Sequence, residues 1–263
     1  MKPFERNAAN LIESLSFYGL ATGRGRIEES GGVRLISSGV PYSVFNIALL
    51  TSPVADIEGE LERRIHVAGT WFREQGLSWS FWICEDYLGR RTARRMHSVF
   101  DRQGLLCIAE SPGMEAWPLP PPRRPLHALE WRRVDDAATR QAFTHLVSVS
   151  FQVPFSIAEQ IYACEKAWTS SLEGYVGYIG GEPICSCGLV ENECSVGIYS
   201  VSTLPPWRRK GYAESLMRQA LATRPASTCV ILQSSRAGQR LYYEMGFHRV
   251  TRWFVFATPS ARP

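Results

Sequence analysis

Arg208, Arg209 and Lys210 stand in a row in the stretch WRRKGYAESLM, with Gly211 directly after them and Ala213 two places on. Three cations beside a residue without a side chain suit the binding of an anion, because the cations supply charge and the glycine lets a ligand reach the backbone. From Ala213 the apolar residues Leu216, Met217, Ala220 and Leu221 recur at helical spacing, so the stretch feeds the start of a helix. The unpaired amides and the positive dipole end there already favour an anion, and three cations are unfavourable at that end unless a phosphate joins them. A solvated basic loop would have the same composition. The stretch matches neither the GxxxxGK[ST] phosphate loop nor the GxGxxG nucleotide fingerprint.

The surrounding pattern shows what must position this loop. Residues 118–125, PLPPPRRP, hold five prolines in eight positions and read as a linker over 118–126. Before it the pattern predicts a helix over 4–19, strands over 26–36 and 43–50, a helix over 55–75, a strand over 78–84, a helix over 90–103 and a strand LLCIAE. After it come a strand over 127–133, a helix capped by Asp135 with a stripe of Ala142, Leu146 and Val149 or Ser150, and a helix capped by Ser156 with Glu159. Three strands follow at 174–179, 183–190 and 194–203, joined by short turns at Gly180-Gly181 and 191–193, and so antiparallel. The prolines at 205 and 206 end the third strand. Helix 211–223, strand 228–233, helix 236–245 and strand 247–256 complete an α+β chain whose halves share an order of elements.

Composition removes several classes of function. Hydrophobic residues make up 45% and charged residues 21%, the balance of a globular protein. No apolar run reaches the roughly 20 residues of a membrane span, and the N-terminus has no signal-peptide core, so a cytoplasmic protein without a membrane partner is expected. Basic and acidic residues are nearly balanced on either side of His127, which argues against nucleic acid as a partner. The seven cysteines form no CxxC pair and no zinc-type cluster, so no metal is expected; Cys185 and Cys187, on one face of a strand, read as small core residues.

With the elements in place, residues 127–256 resemble the GNAT superfamily of acetyl-CoA-dependent N-acetyltransferases. YSVSTLPPWRRKGYAESLM is similar to the family's strand, pyrophosphate loop and helix, with the R-x-x-G-x-G/A signature at Arg208, Gly211 and Ala213. RLYYEMGF is similar to its late helix, with Leu241, Tyr242, Gly246 and Phe247 in the pattern. The resemblance implies acetyl-CoA as cosubstrate: Val201, Ser202 and Thr203 pairing with the pantetheine arm, Arg208, Arg209, Lys210, Gly211, Tyr212, Ala213 and Glu214 cradling the pyrophosphate, and Tyr242 as general acid toward the leaving sulfur. It further implies two GNAT-like domains, each a mixed, mostly antiparallel sheet flanked by helices: a degenerate one over 1–117 without its own cofactor and a catalytic one over 127–263. An unidentified primary amine would be the acceptor, in a monomer or homodimer.

The sequence departs from the family where an asparagine often stands seven positions before the tyrosine. Ser235 occupies that place and is carried as a cofactor contact and helix cap, with Arg236 as an additional phosphate contact. No general base is assigned: Glu173, Glu191 and Glu193 are as readily solvated carboxylates. Phe151, Phe155 and Tyr162 are candidates for the acceptor cleft, together with some of Trp71, Trp79, Phe81, Trp82 and Tyr87, which are chiefly core material. A non-catalytic acyl-CoA-binding regulator is the competing reading.

Overall fold

Gly31 and Gly32 divide the strand expected over 26–36. Both take left-handed dihedrals (φ +58° and +78°), giving the two-residue turn whose twist suits a hairpin. In the computed structural model, which describes residues 1–258, the elements run α1 (Pro3–Ala21), β1 (Arg26–Ser30), β2 (Val33–Ser37), β3 (Asn46–Leu50), α2 (Glu60–Glu74), β4 (Ser80–Cys84), α3 (Arg90–Arg102) and β5 (Leu106–Ala116). After the proline-rich segment come β6 (Glu130–Arg133), α4 (Ala137–Phe151), α5 (Phe155–Tyr162), β7 (Leu172–Ile179), β8 (Glu182–Asn192) and β9 (Ser195–Thr203). The chain ends with α6 (Tyr212–Leu221), β10 (Val230–Gln233), α7 (Gln239–Met245) and β11 (His248–Ala257).

The strands form one sheet in the order β1-β2-β3-β4-β11-β5-β10-β9-β8-β7-β6. The last strand of each half is thus displaced toward the other half. β11 lies between β4 and β5, antiparallel to both, and β5 separates β11 from β10. Alternation along β11 assigns the two faces. Trp253 reaches Asn7 of α1, while Phe254 and Phe256 pack against His97 and Phe100 of α3. Helices α1, α4 and α5 cover the first face, and α2, α3, α6 and α7 the second. Two GNAT-like domains are joined in this way through one sheet.

Helix α1 is tied to that sheet by buried polar groups. Asn7 donates to the carbonyls of Met114 and Leu232 and accepts from Gln233 and Trp253. Asn10 donates to the carbonyls of Val190 and Ser195 and accepts from the Tyr199 hydroxyl at 2.7 Å. Both asparagines are fully buried, and a buried amide is tolerated because its hydrogen bonds are made.

Several element boundaries differ from the sequence reading. The cap of α4 is Asp136, whose carboxylate accepts from the Thr139 amide at 2.7 Å; the buried stripe is accordingly Phe143, Leu146 and Val147. Helix α5 begins at Phe155 on the Pro154 carbonyl, which accepts from Ile157 and Ala158, so Ser156 lies inside the first turn and the expected box with Glu159 does not form. The second of the two short turns, expected over 191–193, moves to 193–194, where Asn192 accepts from the amides of Cys194 and Ser195. Helix α7 starts at Gln239 after a turn over 236–238.

Candidate functional site

Strands β9 and β10 start side by side and then separate. Their parallel pairing covers Val196 with Val230 and Gly197 with Ile231. β9 continues to Thr203, held on its other edge by β8, while β10 is held by β5. The edge of β9 from Ile198 to Thr203 therefore faces an opening with its backbone groups unpaired by β10. A bulge sharpens the divergence: Ser200 and Val201 stand together opposite Cys187 between the pairs Tyr199–Gly188 and Ser202–Ser186. Ser200 is left-handed (φ +49°). Its carbonyl accepts from Ser186 Oγ at 3.0 Å, and Ser186 Oγ in turn lies 2.7 Å from Ser202 Oγ. Val201, Ser202 and Thr203 are thus placed along an open strand edge, where an extended chain could add as a further strand.

The basic loop lies where this edge ends. The Arg208 guanidinium donates to the Thr203 carbonyl at 2.8 Å, anchoring the loop to β9, and the Lys210 ammonium rests over the Trp207 ring at 5.2 Å. Arg209 and Gly211 both have left-handed backbone (φ +60° and +83°). Such reversals curl backbone amides into concave anion sites, and a non-glycine residue held this way carries about 1–2 kcal/mol of strain. Gly211 caps α6, and a Cβ there would come 2.9 Å from His127 Cδ2. Tyr212 packs between His127 and Trp207. Glu214 is tied to Arg218 at 2.8 Å. Ser215, which the sequence reading passed over, is buried, and its hydroxyl has no partner among the described residues. An open cradle at a helix start with an orphaned hydroxyl beside it suits a phosphate group.

Helix α7 stands across the opening. Tyr242 is buried, with its ring edge-on to Phe247 at 5.8 Å and against Gly238. Among the described residues nothing hydrogen-bonds its hydroxyl. Burial, and after it the neighbouring Cys187, push that hydroxyl well above the usual phenol range. Cys185, by the same desolvation, is pushed up to about 12. Tyr243 points outward, half exposed. Ser235 is exposed and accepts from the Gly238 amide at 3.3 Å, which caps the 236–238 turn instead of α7.

Two of the three carboxylates weighed as bases, Glu173 and Glu191, are engaged elsewhere, and Glu193 is exposed in the turn after β8. Arg224 donates to Glu173 at 2.8 Å and to Glu191 at 3.2 Å, and Tyr175 donates to Glu173 at 2.7 Å. Glu191 stands opposite Val196, five residues before Val201 along β9, which is about 16 Å of strand.

Tyr162, expected at an acceptor cleft, lies instead in a buried aromatic cluster. Tyr162 stacks on Phe17 and packs against Phe45 and Phe143, and its hydroxyl lies 3.0 Å from that of Tyr18. Phe17, Tyr18 and Phe45 belong to the first half and were not singled out in the sequence, where nothing marks them apart from other core aromatics. Trp79, Phe81 and Tyr87 instead fill the first-half core, with Trp71 and Trp82 packed against it. Phe151 and Phe155 are exposed. Gln233, last in β10, donates to Asn7 at 2.8 Å and leaves its buried Oε1 without a partner among the described residues.

The corresponding place in the first half is built differently. β3 pairs with β4 from Ile47 to Leu49, and past the ends of both strands the chain is joined again, where the Val54 amide donates to the Tyr87 carbonyl at 2.8 Å. The loop before α2 carries Asp56 and Glu58 where the second half has cations, and Asp56 accepts from the amides of Arg91 and Thr92.

Residues 159–249 match the family model of the acetyltransferase (GNAT) domain. Among solved structures, the chain is similar to a GCN5-related N-acetyltransferase from Kribbella flavida, with TM-score 0.68, 16% identity and 96% of each chain covered. It is also similar to one from Sphaerobacter thermophilus, with TM-score 0.57, 16% identity, and 86% of this chain and 76% of that one covered. A tandem GNAT protein from the clavulanic acid biosynthesis pathway aligns with TM-score 0.53 and 13% identity over 95% of this chain and 89% of its own. At these identities the likeness to solved structures is one of fold. No curated protein matches the chain.

Proposed function

We propose that this chain, whose residues 159–249 form a GNAT acetyltransferase domain, moves an acetyl group from acetyl-CoA to a primary amine by direct attack in a ternary complex. Residues 127–263 carry the reaction in this reading, 118–126 are the linker, and 1–117 are a degenerate domain that walls the acceptor side. The observation that carries it is the parting of β9 from β10 after Gly197, with the left-handed Arg209 and Gly211 at its end.

In this reading the edge of Val201, Ser202 and Thr203 orders the pantetheine arm, and the amides from Arg209 to Glu214 take the pyrophosphate, with the charge of Arg209 and Lys210 beside them. The amine attacks the thioester carbonyl, the C–N bond forms, and the C–S bond breaks. The proton lost by nitrogen ends on the CoA sulfur, so the products are an amide and a neutral thiol. Amides on the unpaired edge of β9 stabilise the oxyanion. Tyr242, neutral at any working pH, donates a hydrogen bond to the departing sulfur. A phenol whose pKa lies above that of a thiol near 8.5 is a weak acid toward it, so its contribution is stabilisation of the developing thiolate more than complete proton transfer.

The competing regulator reading draws on one observation: Glu173 and Glu191 are held by Arg224 and unavailable as bases. Titration calorimetry with acetyl-CoA, followed by an amine screen that monitors thiol release, separates the readings. Binding with turnover supports the transferase; binding without turnover on any amine supports the regulator; absence of binding refutes both.

A further inference from the structure

The bulge in β9 is held by a hydroxyl that the reaction scheme leaves unused. Ser186 stands in β8 within the run Ile184–Val190, whose residues are all buried, and is the one hydroxyl among them. Cys185 and Cys187 on either side belong to the core under α6, so Ser186 faces the opposite side of the sheet. A hydroxyl inside a sheet is costly unless its bonds are made. Ser186 Oγ donates to the Ser200 carbonyl at 3.0 Å and lies 2.7 Å from Ser202 Oγ. It has a single proton to give, so Ser202 is the donor of the second bond. The residue before the bulge is fixed as well, because the Tyr199 hydroxyl donates to Asn10 of α1 at 2.7 Å. A left-handed serine is strained, and it persists where its surroundings over-determine it.

We propose that Ser186 is a positioning residue for the transfer: by holding the Ser200 carbonyl it aims the Val201 amide into the opening. This rests on the reading above, in which amides on the unpaired edge of β9 stabilise the oxyanion, and it names the side chain that directs one of them. A trans peptide is planar, with its carbonyl and its amide hydrogen pointing opposite ways. The Ser200 carbonyl turns toward β8, where Ser186 stands. The Val201 N–H therefore turns away from β8, toward the gap that β10 leaves after Ile231. Without the Ser186 hydroxyl the carbonyl loses this partner, and the strained Ser200 is free to relax and swing the amide with it. Ser186 touches neither acetyl-CoA nor amine in this scheme, so it acts on the direction of a donor and not through contact.

The test reads the thioester carbonyl of bound acetyl-CoA by difference infrared spectroscopy, using the full chain and acetyl-CoA isotope-labelled at that carbon. In the wild type an aimed amide should move the carbonyl stretch below its frequency in free acetyl-CoA. Ser186→Ala should bind acetyl-CoA with a Kd within about threefold of wild type and lose most of that shift. Ser186→Thr, which keeps the hydroxyl, should regain it. Ser186→Cys, close in size and a weak donor, should lose it as alanine does, which keeps the test open if the alanine variant does not fold. Ser38→Ala removes an equally buried hydroxyl in the first half, one that accepts from the Val40 amide at 3.2 Å, and should keep the wild-type band. With an amine that is turned over, kcat of Ser186→Ala should fall about tenfold or more, because an amide turned aside is a weakened oxyanion donor. The proposal is overturned if the wild type shows no shift, if Ser186→Ala and Ser186→Cys keep it, if Ser186→Thr fails to restore it, or if Ser38→Ala loses it too. Failure of the wild type to bind acetyl-CoA overturns the cofactor reading itself, a result distinct from a lost shift with binding retained. Cooperative melting of each variant verifies that it is folded.

Discussion

Two glycines cap equivalent helices in the two halves, and they allow the anion site to be tested against a matched control. Gly59 before α2 has φ +85° and Gly211 before α6 has φ +83°. Alanine at either position carries the same left-handed penalty, about 1–2 kcal/mol. At roughly 2–4 °C per kcal/mol for a chain of this size, each substitution should lower the melting temperature by a few degrees. The surroundings differ: a Cβ at Gly59 meets nothing within 4 Å, whereas one at Gly211 comes 2.9 Å from His127. Gly211→Ala should therefore be somewhat the more destabilising of the two. For ligand binding the difference is larger. A methyl group at Gly211 pushes against His127 and so displaces the loop whose amides would take the phosphate, and loss of one hydrogen bond to a charged group costs about 1.5–3 kcal/mol, or roughly tenfold to a hundredfold in Kd. Differential scanning calorimetry and acetyl-CoA titration of both variants give the four numbers needed. The reasoning fails if Gly211→Ala binds acetyl-CoA as the wild type does, or if Gly59→Ala weakens binding as much as Gly211→Ala.

Tyr242→Phe removes a hydroxyl without a protein partner, so steady-state kinetics should show kcat lowered about tenfold to a hundredfold with the KM for acetyl-CoA within about twofold and the melting temperature nearly unchanged; an unchanged kcat would remove Tyr242 from the chemistry. Glu191→Gln should leave kcat within about twofold, because its carboxylate serves Arg224, and a large loss would restore it as a base candidate. Glu60 is held at about 2, against an ordinary 4.5, by hydrogen bonds from Arg63 first and Arg64 second. A depressed carboxyl pKa stabilises the fold above the unfolded value and loses that contribution as pH falls from about 4.5 to about 2. Melting curves should show Glu60→Gln less stable than wild type at neutral pH, with the gap closing across that window; a gap constant with pH would contradict the pairing.

The basic loop and the helix it feeds were legible in the sequence because their requirements are local. Gly211 after three cations and before an apolar stripe specifies a loop and a helix start within six residues, and the prolines at 205 and 206 mark the end of β9. What lies farther apart left weaker marks. The bulge at Ser200 depends on how β8 pairs with β9, and nothing in YSVST displays it. The aromatic cluster around Tyr162 draws Phe17, Tyr18 and Phe45 from residues more than a hundred positions before it, and an aromatic in a strand or helix looks the same whichever half of the chain it packs against. Asn7 and Asn10 sit in an ordinary amphipathic pattern; only the sheet beneath them shows that they hold β5, β9 and β10 together.

The order of strands decides whether the halves can exist apart. In the sequence, 118–126 separates two runs of elements, yet β11 of the second run lies between β4 and β5 of the first, with Trp253, Phe254 and Phe256 almost fully buried in the first-half core. A fragment starting at residue 127 would leave those three side chains without their neighbours. At about 1.5–3 kcal/mol each their burial contributes roughly 5–9 kcal/mol, an upper figure because unfolded chains are partly compact. That is comparable with the net stability of a domain, about 5–15 kcal/mol. The fragment also loses β5, the antiparallel partner of β10, and with it the frame that holds β10 away from the end of β9. Residues 127–263 expressed alone should therefore bind a hydrophobic dye, lack a cooperative melt and fail to bind acetyl-CoA, while co-expression with residues 1–126 should reverse all three. A cooperative melt of the isolated second half, with acetyl-CoA affinity equal to that of the full chain, would show that β11 folds back on β10 without β5 and that the exchanged strands are dispensable to the site.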